Sequence, residues 1–300
     1  MISSFQNVAR VDAILRSRFP FMQGLVEKGF VEFGEPWAAD FDHMLAHLFP
    51  AGEGLEKAVE GYVCFAVDAL RLQSKFDKDG EYVNKSYEEA SRDVYHNHEY
   101  MFSLYLPGIL LSHFLWPHHH RQNTFFANTF LPEMKRRGAD FFVDVGIGTG
   151  FYSRLICTSL PNIRGTGFDI SENSRDYAVR QLSLFGVGAR YDVELRDIVA
   201  DTPECVTDWL VSVEVLEHLE DPLAFLRSLR RMLRPGGKAF ITAALNAPNA
   251  DHIYLYRTPK EALAQIEQAG FKLEQYHSSI AHAPRKPELT APEISAFIVS

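Results

Sequence analysis

Cysteine is scarce in this chain of 300 residues: Cys64, Cys157 and Cys205 are the three present, and no two form a C-x-x-C pair. An odd, scattered set gives no disulfide framework and no thiolate zinc site, and it fits a reducing cytoplasm. Positive charge is also short, with 30 Lys and Arg against 39 Asp and Glu and a net charge of −9. Phosphate contacts need a basic face, so a nucleic-acid partner is not expected. One local basic patch is conceivable, Arg121 with Lys135, Arg136 and Arg137, although these residues read more simply as a solvated helix face. Long apolar runs are missing. The longest, Tyr105 to Trp116, is interrupted by His113. A spanning helix takes roughly 20 apolar residues, so this segment reads as a buried helix and no membrane partner is expected. The opening MISSFQNVARVDAIL has no apolar core behind positive charge and does not read as a secretory signal. Internal repeats, low-complexity tracts and flexible linkers are not apparent.

What is present has two textures. Up to residue 138 the pattern is helices and loops. Leu55 to Leu72 carries Val59, Tyr62, Val63, Ala66 and Leu70 at helical spacing. Tyr87 to Phe102 and Ile109 to Leu131 read the same way, with breaks expected at Pro107-Gly108 and Pro117. From 139 to 300, short β-branched runs alternate with amphipathic helices. The strands expected are Phe141–Val145, Ile163–Ile170, Tyr191–Leu195, Trp209–Val213, Lys238–Leu245, Phe271–His277 and Ser295–Val299. Helices between the first five imply parallel strands joined by crossovers. The last two have no helix between them and should pair antiparallel at one edge. Asp221-Pro222 is an N-cap with proline at the first helical position, followed by Leu223, Leu226, Leu229 and Leu233 on one face. Thr258-Pro259-Lys260-Glu261 reads as a capping box before a helix closed by Gly270.

The informative motif is Val143-Asp144-Val145-Gly146-Ile147-Gly148-Thr149-Gly150-Phe151, which follows a strand and opens a helix. Glycines let the backbone turn sharply and come close to a ligand. The spacing Gly146-x-Gly148-x-Gly150 differs from the G-x-G-x-x-G of dinucleotide enzymes, which argues against a nicotinamide-dependent oxidoreductase. Asp169 ends the next strand, about 20 residues on, where a carboxylate can accept from both ribose hydroxyls. Asp197 follows the third strand, and Glu214 to Pro222 follow the fourth. These positions are carboxyl ends of successive parallel strands, where open α/β sheets bind ligands.

These pieces together resemble the class I S-adenosyl-L-methionine (SAM) dependent methyltransferase family. The resemblance runs from about Phe141 to Ser300 and rests on VDVGIGTG, GFDIS, LRDI, VLEHLEDP, LRPGGKAFI and TPKEALAQIEQAGF. It implies a doubly wound Rossmann-like sheet of seven strands with an antiparallel seventh strand, here preceded by a helical lid or substrate-recognition region. It also implies SAM as cofactor. Gly146, Gly148 and Gly150 would lie under its methionine part, with Asp144 orienting the amino group through the loop. Asp169 and Ile170 would take the ribose, Asp197 and Ile198 the adenine, and Val213 and Glu214 would face the sulfonium. The Glu217-His218 dipeptide recurs in the family with unrelated substrates, so His218 reads as structural or cofactor-side.

The helical half must carry most of the specificity, because the α/β half is generic. Tyr95, Tyr100, Tyr105 and Trp116 are candidates for cofactor or substrate contacts in a lid that excludes water. Tyr95, His98 and Glu214 are the candidate catalytic residues, with His98 or His96 as a base toward the acceptor. No metal site is expected: His118, His119 and His120 are adjacent, so on a helix they cannot all converge on one ion. The expected activity is methyl transfer to a small metabolite of secondary metabolism, by in-line displacement at the sulfonium methyl. Two alternatives stay open. One is a SAM cyclase releasing methylthioadenosine and azetidine-2-carboxylate, and the other is a non-catalytic SAM-binding regulatory subunit. Assembly into homo-oligomers is left open too.

Overall fold

The computed structural model describes residues 2–50, 54–84, 86–90, 94, 97–284 and 289–300. The helical half contains α1 (Gln6–Arg18), α2 (Leu25–Leu48), α3 (Leu55–Asp79), the short α4 (Tyr87–Ala90) and α5 (His98–Tyr100), then α6 (Leu106–Leu115) and α7 (Pro117–Arg136). The first two were not anticipated. Their weak signal has a cause in α2, where Gly34 (φ 74°) and Pro36 break the helical dihedrals mid-way and disturb its period. The chain does not break at Pro107-Gly108. It runs on from α5 through a π-helical turn (Met101–Tyr105) into α6, with Pro107 in the first turn of α6, where its missing N–H costs least. Gly108 is needed for packing: a Cβ there would lie 2.5 Å from Phe65 of α3. The break at Pro117 is real, since Trp116 is extended (φ −104°, ψ 114°) between α6 and α7.

Seven strands follow: β1 (Phe141–Val145), β2 (Arg164–Asp169), β3 (Tyr191–Leu195), β4 (Thr207–Ser212), β5 (Leu233–Leu245), β6 (Leu273–Ile280) and β7 (Glu293–Val299). They form one sheet in the order β3-β2-β1-β4-β5-β7-β6. All pairs are parallel except those of β7, which runs antiparallel to both β5 and β6. Strand β7 therefore lies inside the sheet, between β5 and the edge strand β6. Edge strand β6 is shifted toward the C-terminus from its expected bounds, because it has a single strand partner and its Tyr276 and Ile280 stay exposed. Helices α8 (Phe151–Ser159), α9 (Glu172–Leu184), α10 (Pro222–Met232) and α11 (Pro259–Gln268) complete the half. Asp221 caps α10 as expected, but Leu233 belongs to β5 and not to the helix face. The expected capping box fails too. Thr258 makes no side-chain cap, and Glu261 accepts instead from the backbone N–H of Arg257 at 2.8 Å.

Alternate residues of the central strands feed two cores, as a two-residue period requires. Phe142, Val211 and Phe240 face α7 and α8, while Val143, Leu210 and Ile241 face α10 and α11. The helical half is continuous with the first of these cores. Phe126 and Phe130 of α7 meet Phe240 and Trp209 edge-on, at 4.9 and 5.3 Å between centroids. Phe41 of α2 stacks on Phe114 of α6 at 4.5 Å. The cations of the conceivable basic patch are spread over separate partners: Arg121 binds Glu32, Arg136 binds Glu133 and Arg137 lies over Trp209.

Arg154 of α8 joins the two halves. It is 1% exposed, sits between the rings of Phe151 and Phe185 at 4.9 and 5.1 Å, and has Asp40 of α2 as its acidic partner at 3.7 Å. Burial lowers its pKa and Asp40 opposes that shift. Removing the acid leaves a buried cation uncompensated. Asp40→Ala should destabilise the fold by about 1–3 kcal/mol in urea unfolding, and Arg154→Met in that background should recover most of the loss. An unchanged midpoint in Asp40→Ala would show that the pair contributes nothing.

Candidate functional site

The site is built on the switch point of the sheet, where β1 is flanked by β2 on one side and β4 on the other. After Val145 the chain turns at Gly146 (φ 74°), where a Cβ would lie 2.4 Å from Val215. Any side chain there would be strained and would strike the loop after β4. The N–H groups of Gly146 and Ile147 donate to the carbonyl of Phe168 at 2.8 and 3.3 Å, pinning the loop to β2. Gln181 of α9 holds the far side through the carbonyl of Thr149. The remaining turn, through Gly148 and Gly150, leads into α8.

Asp169 accepts from the N–H of Gly148 (3.1 Å) through one oxygen and from Ser171 (2.8 Å) through the other. Each oxygen keeps a further lone pair. Burial raises its pKa, and those backbone donors oppose the rise. The cap of α9 is Ser171, which accepts from Ser174, so Asp169 is not needed there. Asp197 accepts from Val199 and Ala200 through Oδ1 and lines the same cavity. Asp144 lies beneath the loop, 3% exposed, accepting from Ser153 at 2.7 Å. Burial pushes its pKa up to about 7, opposed by that hydrogen bond.

Glu214 has φ 51°, a conformation that costs energy for a residue with a Cβ. Thr242 of β5 holds it there, accepting from its N–H at 2.7 Å and donating to its carboxylate at 2.5 Å. Burial raises the pKa of Glu214 and Glu217, and the charge of Glu217 pushes Glu214 further. Glu217 is fully buried, with Oε2 accepting from Ala244 at 3.3 Å. His218 lies 3.2 Å from Asp251, which in turn accepts from Tyr105. Burial disfavours the imidazolium, but Asp251 and then Glu217 raise His218 to about 9. His252 contacts the carbonyl of Ala247 at 2.6 Å, and burial with the neighbouring His218 lowers it to about 3.

Asp144, Asp169, Asp197, Glu214 and Glu217, with His218 and His252, line one cavity of about 1000 Å³. Its lining includes Asp169, Ile170, Asp197 and Ile198, the glycine loop, and Val213 with Glu214. The helical half contributes Tyr62, Phe65, Trp116, His113, His118 and His119 to the same wall. His113 stacks on Phe151 at 3.8 Å and His118 on Trp116 at 5.4 Å, while His119 lies 2.9 Å from the hydroxyl of Ser112. Burial lowers all three, His119 to about 3. Of the expected lid contacts, Tyr105 and Trp116 line the cavity. His98 does not: it is exposed and bonded to Asn173 at 2.6 Å, away from the cavity wall. Tyr100 is also absent from the wall. Tyr95 and His96 lie outside the described residues. The sequence reading missed Tyr62, Thr242, Asp251 and His252. Asp251 and His252 could have been sought, since they follow a strand on the ligand-binding side of the sheet.

A family model described as a methyltransferase domain matches residues 143–239. That segment is a class I SAM-dependent methyltransferase domain. The cofactor of the family is SAM. Among curated relatives, the ubiquinone biosynthesis O-methyltransferase of Pseudomonas syringae pv. tomato is 33% identical over 111 residues, 36% of this chain and 46% of the relative. That of Parvibaculum lavamentivorans is 32% identical over 117 residues, 38% of this chain and 43% of the relative. The chain thus spans less than half of these relatives. Among solved structures, an O-methyltransferase from neocarzinostatin biosynthesis, in complex with SAM and 2-hydroxy-5-methyl naphthoic acid, superposes with a TM-score of 0.52 at 18% identity, covering 84% of this chain and 73% of that one. PigF with SAH gives 0.51 at 17% identity with the same coverages. These two likenesses establish the fold. The residues here suit the cofactor: the loop approaches closely only because it is glycine, and Asp169 faces the cavity with spare lone pairs.

The buried neutral imidazoles make stability depend on pH. Below the ordinary histidine value of 6.5 the unfolded chain binds protons that folded His119 excludes down to about pH 3. Stability from this group is therefore full above 6.5 and falls as the pH drops. His119→Gln should lessen the loss of unfolding free energy between pH 7.5 and 5 by about 1–2 kcal/mol. Parallel pH profiles for the variant and the native chain would refute that origin.

Proposed function

We propose that the protein is a SAM-dependent methyltransferase that methylates a hydroxyl oxygen on a small aromatic metabolite. The observation that carries this reading is the cavity of about 1000 Å³, whose lining joins the glycine loop to aromatic rings and neutral imidazoles of the helical half. Ligand pockets range over about 300–1,000 Å³, so this one has room for a second substrate beside the cofactor. The curated relatives, named as O-methyltransferases, support an oxygen acceptor. We also divide the chain functionally at 138/139, with specificity in the helical half, and place it in the cytoplasm, in secondary metabolism.

In this reading Asp169 with Ile170 holds the ribose, and Asp197 with Ile198 borders the adenine. Asp144 acts through Gly146, Gly148 and Gly150 on the amino group, and Val213 and Glu214 line the passage to the acceptor. The bound cofactor supplies a methyl group on a positively charged sulfur leaving group. The protein's share is alignment and exclusion of water. Tyr62, Phe65 and Trp116 present ring faces to a planar acceptor. Glu214, whose pKa is raised by burial and by Glu217, takes the hydroxyl proton, the role first considered for His98, while His113, His118 and His119, held neutral by burial, serve as uncharged wall.

Asp169→Ala should weaken SAM binding by about 10- to 100-fold in calorimetry, since it removes charge-assisted hydrogen bonds, with an unchanged circular dichroism spectrum. Unaltered affinity would remove the ribose assignment. Incubation with SAM and a panel of hydroxylated aromatics should yield S-adenosylhomocysteine and a methyl ether. Methylthioadenosine as the product would establish the cyclase reading instead, and tight binding without turnover a regulatory subunit.

A further inference from the structure

We propose that Glu217, His218 and His252 form a binding site for one divalent transition-metal ion on the cavity wall, with open positions toward the acceptor. The acceptor side of this inference rests on the methyltransferase reading, but the ion site itself does not. Among the described residues, these three offer one donor atom each, all within 4.8 Å of one another. Oε1 of Glu217 is buried without a hydrogen-bond partner, 3.9 Å from Nε2 of His218. A fully buried carboxylate oxygen with no donor is costly unless something positive meets it.

The other atoms of the three side chains are already held. Nδ1 of His252 lies 2.6 Å from the carbonyl of Ala247, which can only accept, so Nδ1 carries the proton and Nε2 a lone pair. Nδ1 of His218 faces the Asp251 carboxylate at 3.2 Å, which fixes its ring in the same sense. Oε2 of Glu217 accepts from the N–H of Ala244. Outer partners of this kind, a carboxylate and a backbone carbonyl on the remote imidazole nitrogens, are how metal-binding histidines are oriented. A protonated His218 would face Oε1 of Glu217 only at 3.9 Å, beyond hydrogen-bond distance, and would give His252 no part. Two imidazoles with one carboxylate suit zinc, iron(II), cobalt or nickel better than magnesium or calcium. All three residues line the cavity, so an ion held here would have positions free for an oxygen ligand. Asp251 is then a positioning residue.

The test uses the full chain after treatment with a chelator, titrated with cobalt(II) alone and followed by visible d–d absorption and calorimetry. One equivalent should bind per chain. Glu217→Gln, His252→Ala and His252→Gln should each weaken binding by at least about tenfold, and Asp251→Asn by about 10- to 100-fold. His47→Ala, at a half-buried histidine of α2 that does not line the cavity, should bind as the native chain does. SAM affinity measured on His252→Ala reports whether that variant is folded, and His252→Gln serves should it not be. The absence of saturable cobalt binding, or equal affinity in the native chain and a folded His252 variant, would overturn the site. Cobalt binding with no SAM binding would instead refute the methyltransferase reading and leave the metal site standing.

Discussion

The arrangement depends on one carbonyl. The Phe168 oxygen, at the end of β2, receives the N–H groups of Gly146 and Ile147. Two donors on one acceptor fasten the loop after β1 to the neighbouring strand and turn its remaining backbone toward the crevice. The turn is compatible only with glycine at 146, because Val215 fills the space a Cβ would need. Val215 in turn belongs to the segment that carries Glu214 and Glu217. The cradle and the acidic wall are therefore set by the same contact, and a change in one displaces the other.

Legibility followed the strength of the local signal. The parallel strands were readable because Val143, Leu210 and Ile241 point to one core while Phe142, Val211 and Phe240 point to the other, so each strand is apolar on both faces. The glycine loop and Asp169 were readable because their positions follow from strand ends. The bounds of β6 were not, since an edge strand with an exposed face has a weak pattern. The capping box at Thr258 misled for a different reason: the motif was present, but Glu261 found the N–H one residue earlier. Pro107 misled because a π-turn before α6 places it where a helix tolerates proline.

The helical side of the cavity wall was not readable, because nothing local marks it. His113 interrupted an apolar run, and that was visible as an irregularity. Its stacking on Phe151, which itself opens α8 directly after the glycine loop, is a contact between residues 38 apart in sequence. Adjacent histidines at 118 and 119 looked divergent on a helix. Their rings nonetheless meet at 4.5 Å, and both line the cavity. His98 shows the converse: an attractive residue type near the right region that faces Asn173 and solvent.

Charge at the carboxyl end of the sheet ties these observations together. The strand ends gather Asp144, Asp169, Glu214, Glu217 and Asp251 in a chain whose net charge is already −9. Burying so many carboxyl groups is unfavourable unless each is hydrogen-bonded, protonated or met by a cation. Asp169 is met by backbone donors, Asp144 by Ser153 and Asp251 by Tyr105 and His218. Glu214 is met by Thr242 and Glu217 by the N–H of Ala244, yet burial still raises the pKa of both. Both line the cavity. A cationic group entering that cavity would favour the ionised forms that burial disfavours, and the strained backbone of Glu214 holds its carboxyl group on the wall where such a group would meet it.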